Sequence, residues 1–291
     1  MTFNPNADIR GGKASKRGRN TAIAAGGVGI GAVAIFLISQ FLGVDLSGIL
    51  GGGQPQEESG VALECATGQD ANERVECRMQ GASASLEAFW QAEAPSIGVQ
   101  YSPPADFVLF DQQTNTGCGA ATSATGPFYC PPDQTIYVDV TFFDELEQRF
   151  GAHGGPLAEM YVVAHEWGHH IQNLAGVLER TQDGQTGPTS NAVRVELQAD
   201  CFAGAWVADA ANTTDPKGNT FLLPPTREQI NEALDAAGAV GDDRIQQTMQ
   251  GQVNPHTFTH GTSAQRQNWF ATGYQGGAGA CDTFSISGSQ L

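Results

Sequence analysis

Basic residues are scarce in this sequence and are concentrated at one end. The 291 residues include only 14 Lys and Arg against 31 Asp and Glu, for a formal net charge of −17. Five of the basic residues lie in the first twenty positions, so the rest of the chain carries 9 basic and 30 acidic side chains. A surface this acidic repels phosphate backbones, and we therefore expect no nucleic-acid partner.

The cysteines lack the C-x-x-C spacing that a thiolate metal site uses. The six of them are Cys65, Cys77, Cys118, Cys130, Cys201 and Cys281. An even number, with every cysteine in the last four fifths of the chain, suits an oxidising compartment with up to three disulfides. Spacing alone does not fix the connectivity. Short loops favour Cys65–Cys77 and Cys118–Cys130, which would leave Cys201 to pair with Cys281.

Charged residues are absent from one long stretch, the 21 residues from Ala22 to Leu42. As a helix this run would span about 30 Å, close to the hydrocarbon thickness of a bilayer. The basic cluster in front of it predicts a membrane anchor whose basic end faces the cytoplasm. A cleavable secretory signal is the alternative, because the run is rich in Gly and Ala.

The anchor hypothesis divides the chain into four parts. The basic cytoplasmic tail would be 1–20, the transmembrane anchor 21–44, a flexible linker 45–60 and the folded domain 61–291. The predicted location is the cell membrane, with a single pass, a cytoplasmic N-terminus and an extracytoplasmic domain.

Helical spacing of apolar residues dominates the rest of the sequence. The predicted helices cover residues 68–93, 156–174, 193–210, 226–238, 242–249 and 263–270, and the predicted strands 107–110 and 135–140. The strands do not alternate with the helices. This pattern predicts an α+β fold that is mainly helical with a short sheet, preceded by one transmembrane helix.

The sequence His165-Glu166-Trp167-Gly168-His169 is an H-E-x-x-H motif in the middle of a predicted helix. Residues i and i+4 lie one turn apart on the same helical face, so both imidazoles can reach one metal ion. Glu166 adjoins the first of them and is a candidate general base. An ordinary polar helix face is the alternative.

A catalytic zinc site needs a third protein ligand. No histidine stands at the spacing of the extended H-E-x-x-H-x-x-G-x-x-H motif. The adjacent His170 points away from the face that His165 and His169 share. Glu196 and Asp200 instead stand one turn apart on the next long helix. We expect Glu196 to be the third ligand and Asp200 to accept the spare N–H of a ligating histidine. An exposed acidic stripe is the alternative in so acidic a chain.

These strings resemble a known family. The H-E-x-x-H motif followed by Glu196-x-x-Ala-Asp200 resembles the gluzincin pattern. The longer stretches 164–172 and 196–206 are similar to the putative neutral zinc metallopeptidase family of bacteria, as is His260-Gly-Thr-Ser-Ala-Gln-Arg266. The likeness covers nearly the whole chain. It implies a membrane-attached, zincin-like peptidase that carries one Zn²⁺ per chain and acts on peptide or protein substrates.

The resemblance also implies metal-assisted amide hydrolysis with Glu166 as general base. His260 is the candidate for stabilising the oxyanion, because its spacing to Arg266 resembles one in some membrane gluzincins. A structural pair at a helix start is the alternative for these two residues. Further oxyanion candidates are Tyr137, Tyr161 and His256. Substrate in zinc peptidases commonly pairs with a nearby strand, so 135–140 is a candidate substrate edge.

Three other functions compete with an active peptidase. The first is a catalytically silent zinc domain that binds protein or cell-envelope partners, although such a site has no need of Glu166 and is usually closed by four ligands. The second is a disulfide-tied adhesive domain without metal, which leaves the metal-competent spacing unexplained. The third is a zinc hydrolase that acts on non-peptide amides.

Overall fold

The computed structural model describes residues 1–17, 60–148 and 151–291. These residues form an α+β fold in which helices surround a short mixed sheet. The strands of the sheet are β1 (Ser15–Lys16), β2 (Val61–Ala62), β3 (Asp106–Phe110), β6 (Phe128–Cys130) and β7 (Thr135–Asp139), and a separate hairpin consists of β4 (Gln113–Thr116) and β5 (Gly119–Thr122). The sheet order is β2-β1-β3-β7-β6.

The centre of the sheet is the parallel pair β3 and β7, in register from Asp106 opposite Thr135 to Phe110 opposite Asp139. Every residue of β7 is buried, as expected for an apolar β-branched run covered on both faces. The antiparallel strand β6 closes this side of the sheet, so β7 has neighbours on both sides. The predicted substrate edge at 135–140 is therefore wrong, and β6 is the edge strand.

The long helices match the predicted ones closely. The helices are α1 (Gly68–Glu73), α2 (Val75–Glu93), α3 (Phe142–Gln148), α4 (Pro156–Leu174), α5 (Val177–Thr181), α6 (Asn191–Asp209), α7 (Arg227–Ala239), α8 (Asp242–Gln250) and α9 (Ser263–Gly276). The capping box at the start of α7 is present, with Thr226 and Gln229 bonded reciprocally. The last helix begins at the predicted residue and is capped by Thr262, but it extends beyond position 270 to Gly276.

Helices α4 and α6 form the centre of the molecule. Helix α4 packs against α2, α6 and α7, while α9 packs along α6. Trp90, Trp167 and Trp206 are fully buried between these helices. Burying such large side chains fixes the relative positions of the helices that carry the polar site residues.

The three disulfides are those favoured by loop length, so this pairing is confirmed. Cys65 bonds Cys77, Cys118 bonds Cys130, and Cys201 bonds Cys281. The last bond ties the middle of α6 to the C-terminal segment across 80 positions of sequence. No cysteine in the described residues is free.

The N-terminal segment is part of the folded domain. The side chains of Met1, Phe3, Ala7 and Ile9 are buried in the main core, and β1 pairs with both β2 and β3. The described residues 1–17 of the predicted tail thus pack against the domain, while the division of the chain into tail, anchor, linker and domain stays a prediction. A single membrane pass between positions 20 and 45 would place this segment and the domain on opposite sides of the bilayer.

No helix within the described residues has both the length and the apolar character needed to cross a membrane. The predicted anchor at 21–44 and all but the last residue of the predicted linker at 45–60 lie outside the described residues. The predictions of a preceding transmembrane helix and of a single-pass membrane location are not supported and are corrected accordingly.

Candidate metal centre and active site

His165 and His169 of α4 lie toward α6. The two helices are in close contact at Gly168, which lies between these histidines in the sequence. Gly168 makes this approach possible: a β-carbon at this position would lie 3.0 Å from the Cα of Ala199 and 3.2 Å from its Cβ. Ala199 stands immediately before Asp200 and one turn after Val195. The small residues at the contact therefore bring the acidic positions of α6 within reach of the two imidazoles.

His165, His169 and Glu196 form a compact buried cluster. The Nε2 atoms of the two histidines are 3.2 Å apart. The carboxylate oxygens of Glu196 lie 3.3 Å from Nε2 of His165 and 3.4 Å from Nε2 of His169. One ligand atom from each of the three residues can be chosen so that all lie within 4.8 Å of one another. Each of the three side chains is less than one tenth exposed.

The partners on the outer side of each ring set which nitrogen faces the cluster. Nδ1 of His165 lies 2.8 Å from a carboxylate oxygen of Asp200. Nδ1 of His169 lies 2.8 Å from the amide oxygen of Gln172, whose amide nitrogen donates to the carbonyl of Val195. Both oxygens can only accept, so both Nδ1 atoms carry the proton. The two Nε2 atoms consequently face each other and Glu196.

Arg266 of α9 neutralises Asp200. Its guanidinium donates to both oxygens of this carboxylate, at 2.7 and 2.9 Å, and to the carbonyl of Val240. The hydroxyl of Tyr161 also donates to Asp200, at 2.5 Å. Asp200 is completely buried, and the bidentate pair with Arg266 holds the pKa of its carboxyl below the usual range against the effect of burial. The carboxylate thus stays ionised behind His165.

Glu166 stands beside the cluster without entering it. Its carboxylate accepts a hydrogen bond from the backbone N–H of Tyr129 on β6, and burial raises its pKa to about 7. A carboxylate with a pKa near neutrality can both accept and return a proton at physiological pH. The residue lines the same cavity as the three clustered side chains.

His260 reaches this cavity from the segment before α9. Asp242, the first residue of α8, accepts its Nδ1–H at 3.0 Å and also the backbone N–H groups of Thr259, His260 and Gly261. Burial disfavours the charged ring, but the Asp242 carboxylate outweighs this and raises the pKa of His260. Its Nε2 is buried and has no hydrogen-bond partner among the described residues.

The cavity has a volume of about 490 Å³ and is open to solvent at one side. Residues of α4 line it, as do Phe128 and Tyr129 of β6 and the prolines that flank this strand. Val240, Ile245 and His260 also line it. The cluster, Glu166 and His260 thus share a single cleft beside an open sheet edge.

Residues 4–284 match the family described as putative neutral zinc metallopeptidase. The chain belongs to this family. The predicted resemblance is thereby confirmed, and the match includes the N-terminal segment that packs into the domain.

Relatives of this zinc metallopeptidase family member occur in distant bacteria. Uncharacterized proteins of Mycobacterium tuberculosis and Mycobacterium bovis are 48% identical over 256 residues, which cover 86% of this chain and 86% of theirs. The uncharacterized protein YpfJ of Escherichia coli K12 is 38% identical over 261 residues, 87% of this chain and 85% of its own. No solved structure matched the chain.

The zinc that the family name implies fits the residues present. Two imidazole nitrogens and a carboxylate are a donor set that zinc prefers. Burial disfavours the charged ring of His165, yet Asp200 and Glu196 raise its pKa to about 10. The cluster therefore attracts positive charge, which is a proton in the metal-free chain and could be supplied by a metal cation instead. Burial lowers the pKa of His169 to about 4, which keeps that ring neutral.

The sequence did not predict two residues of the candidate site, Gln172 and Asp242. Gln172 lies three positions after His169, so its place one turn on along α4 was readable in principle. Asp242 is 18 positions before His260 and approaches it only through the fold. Of the other oxyanion candidates, Tyr161 lines the cavity, but its hydroxyl donates to Asp200. Tyr137 donates to Asp133 and His256 is exposed, and neither of them lines the cavity.

Proposed function

We propose that this protein is a zinc-dependent peptidase in which His165, His169 and Glu196 hold the metal. The observation that supports this most directly is the convergence of two imidazole Nε2 atoms and a carboxylate at one buried point. Three protein ligands leave a coordination position open, which is the pattern of catalytic rather than structural zinc. Glu166, beside them in the same cleft, favours an enzyme over a silent binding domain.

A bound zinc ion would supply a Lewis acid that polarises the scissile carbonyl and makes water more acidic. Glu166 accepts the proton of the attacking water and passes it to the nitrogen of the leaving amine. Its raised pKa suits both transfers. Asp200 and Gln172 orient the two histidine rings by accepting their Nδ1–H groups.

His260 would stabilise the negative charge that develops on the carbonyl oxygen. Asp242 fixes the ring from behind and favours its charged form, so that Nε2–H can donate into the cleft. A preorganised donor of this kind is worth about 10²–10³ in rate in other hydrolases. Arg266 serves to support Asp200, since its guanidinium is already engaged by protein acceptors.

The edge strand β6 would bind the substrate backbone. It pairs with β7 on one side only and lines the cleft on the other. An extended peptide can add to such an edge through main-chain hydrogen bonds. The backbone N–H of Tyr129, which bonds Glu166, would couple the position of this strand to the general base.

Replacement of Glu166 by Gln tests the proposed function. Gln keeps the shape of the side chain but cannot take up a proton, so we expect kcat to fall by about 10²–10⁴ while zinc content is unchanged. Activity would be read by mass spectrometry on a mixed peptide library, and zinc by elemental analysis of the same full-length samples. Hydrolysis at the wild-type rate by Glu166→Gln would contradict the assignment of the general base.

A further inference from the structure

The cleft extends well beyond the metal cluster, and the remaining described residues that line it carry no charge. Of the described residues that line it, the ionisable groups that are charged or readily become so are His165, Glu166, His169, Glu196, His260 and Arg266. All six already have roles in the proposed site. The rest of the lining is apolar or uncharged, with Pro127, Pro131, Phe142, Val162, Leu178 and Ile245 as its main apolar members.

Exopeptidases must recognise a charged chain end close to the scissile bond. A free α-amino group needs a carboxylate partner, and a free α-carboxylate needs a cationic one, because an unpaired charge in a buried site is costly. Arg266 is 3% exposed, and its guanidinium already donates hydrogen bonds to Asp200, Tyr161 and the carbonyl of Val240. Within the described residues no other guanidinium or ammonium group lines the cleft.

The carboxylates of the cleft are equally committed. Glu196 faces both histidines, and Glu166 is the proposed base held by the Tyr129 backbone. No third carboxylate lines the described part of the cleft to hold an α-amino group. Cleavage of an internal peptide bond brings neither the α-amino group nor the α-carboxylate of the substrate into the cleft. The lining therefore suits a substrate that is cut at an internal bond.

The apolar lining and the general base belong to the same cleft. Val162 stands one helical turn before Glu166 on α4, so the two side chains share a face. Phe142 from the start of α3, Leu178 from α5 and Ile245 from α8 approach from three other elements. Four elements thus contribute apolar side chains to the cleft that contains the reacting groups.

Building on the proposed function, we propose that this site is an endopeptidase centre whose cleft accepts a bulky apolar side chain beside the scissile bond. Transfer of such a side chain from water into an apolar pocket is favourable, and a single methylene already changes relative rates by about tenfold or more. A charged side chain at the same place would be desolvated without a partner. Phe142 is a specificity-determining residue in this account, because its half-buried ring faces the cleft from outside the catalytic set.

Synthetic twelve-residue peptides separate the possibilities. One set has a central Leu or Phe and is made with free ends or with acetylated and amidated ends. A second set replaces the central residue by Asp. With the zinc-loaded full-length protein we expect blocked and free peptides to be cut at the same internal bond with kcat/KM within about threefold. The Asp peptides should be slower by about tenfold or more.

Phe142→Ala supplies an independent arm, with Leu223→Ala as its control. Leu223 is 42% exposed and does not line the cleft. We expect Phe142→Ala to reduce the preference for Phe over Asp by about fivefold or more, and Leu223→Ala to leave it unchanged. Because these are ratios measured within one protein sample, a partly unfolded variant does not distort them.

Different results overturn different claims. Stepwise loss of single residues from free peptides only, with blocked peptides intact, would overturn the endopeptidase inference and leave the peptidase function standing. Equal rates for Phe and Asp peptides would overturn the apolar pocket. No hydrolysis of any peptide by protein shown to hold zinc, with Glu166→Gln indistinguishable from wild type, would overturn the proposed function and this inference with it.

Discussion

At the residue scale, the two histidines of the cluster are supported by different chemistry. His165 donates to the carboxylate of Asp200, whereas His169 donates to the neutral amide of Gln172. A carboxylate behind a ligating imidazole makes it more basic, while an amide mainly fixes its orientation. Gln172 also donates to the carbonyl of Val195, next to Glu196, so it links one proposed ligand to the backbone that carries another.

Gln172→Ala should therefore weaken zinc binding without abolishing it. Loss of a group that orients a ligand typically costs about 10- to 100-fold in metal affinity. The dissociation constant would be measured by competition with a chromophoric chelator, beside Gln185→Ala, whose side chain is exposed and does not line the cleft. Equal affinity in Gln172→Ala and the control would show that His169 needs no support from this amide.

The residues closest to the motif were the ones that sequence could predict. His165, Glu166 and His169 follow from the one-turn spacing of a helix, and Glu196 and Asp200 from the same spacing on a second helix. Gln172 shares that periodicity, but an amide has no distinctive pattern to mark it. Asp242 could not be foreseen, because only the chain path between α8 and α9 brings it to His260.

At the element scale, α6 and α9 are packed so closely that glycines are required at the contact. A β-carbon on Gly204 of α6 would lie 2.0 Å from the carbonyl oxygen of Phe270, and one on Gly273 of α9 would lie 1.8 Å from that of Cys201. Arg266 stands one turn before Phe270 on the same helix. The close contact thus delivers Arg266 to Asp200.

Gly204→Ala should force the two helices apart. Overpacking of this kind typically costs about 1–3 kcal/mol of folding free energy. The loss would be measured by urea unfolding followed with circular dichroism. Gly279→Ala is the matched control, because a β-carbon there would have no neighbour within 4 Å. A Gly204→Ala protein as stable as the control would mean that the helices can shift without loss.

Helices were easier to predict than strands for a physical reason. The apolar periodicity of α4 and the capping box of α7 are local signals, and both elements begin where the sequence indicates. Strand pairing depends on partners far away in sequence. No local sequence pattern predicts that Ser15–Lys16 joins the sheet. Nor does one predict that β6, and not β7, is the strand at its edge.

At the scale of the whole molecule, the N-terminal segment is a structural component of the domain. The backbone of Phe3 exchanges two hydrogen bonds with the side chain of Asn72. The ring of Phe3 occupies the space above Gly81, where a β-carbon would lie 2.5 Å from the ring. Gln80 donates to the carbonyl of Ile9. The basic cluster predicted a cytoplasmic tail, and nothing in the sequence indicated that the few apolar residues near it would be buried in the domain.

Phe3→Ala should accordingly destabilise the entire domain. The side chain is 1% exposed, and truncation of a buried Phe costs about 3–5 kcal/mol. Asn6→Ala, at an exposed position in the same segment, provides the comparison. Thermal unfolding of both full-length variants would be followed by calorimetry. Identical midpoints for the two would indicate that the N-terminal segment adds nothing to stability.

The central claim is a single zinc ion held by His165, His169 and Glu196, and metal binding tests it most directly. Full-length protein with its disulfides formed would be analysed for zinc content and affinity, together with Glu196→Ala and the exposed control Glu228→Ala. The account predicts one zinc per chain in wild type and control, and an affinity lower by about 100-fold or more in Glu196→Ala. Absence of zinc from folded wild-type protein, or equal affinity in Glu196→Ala, would contradict it.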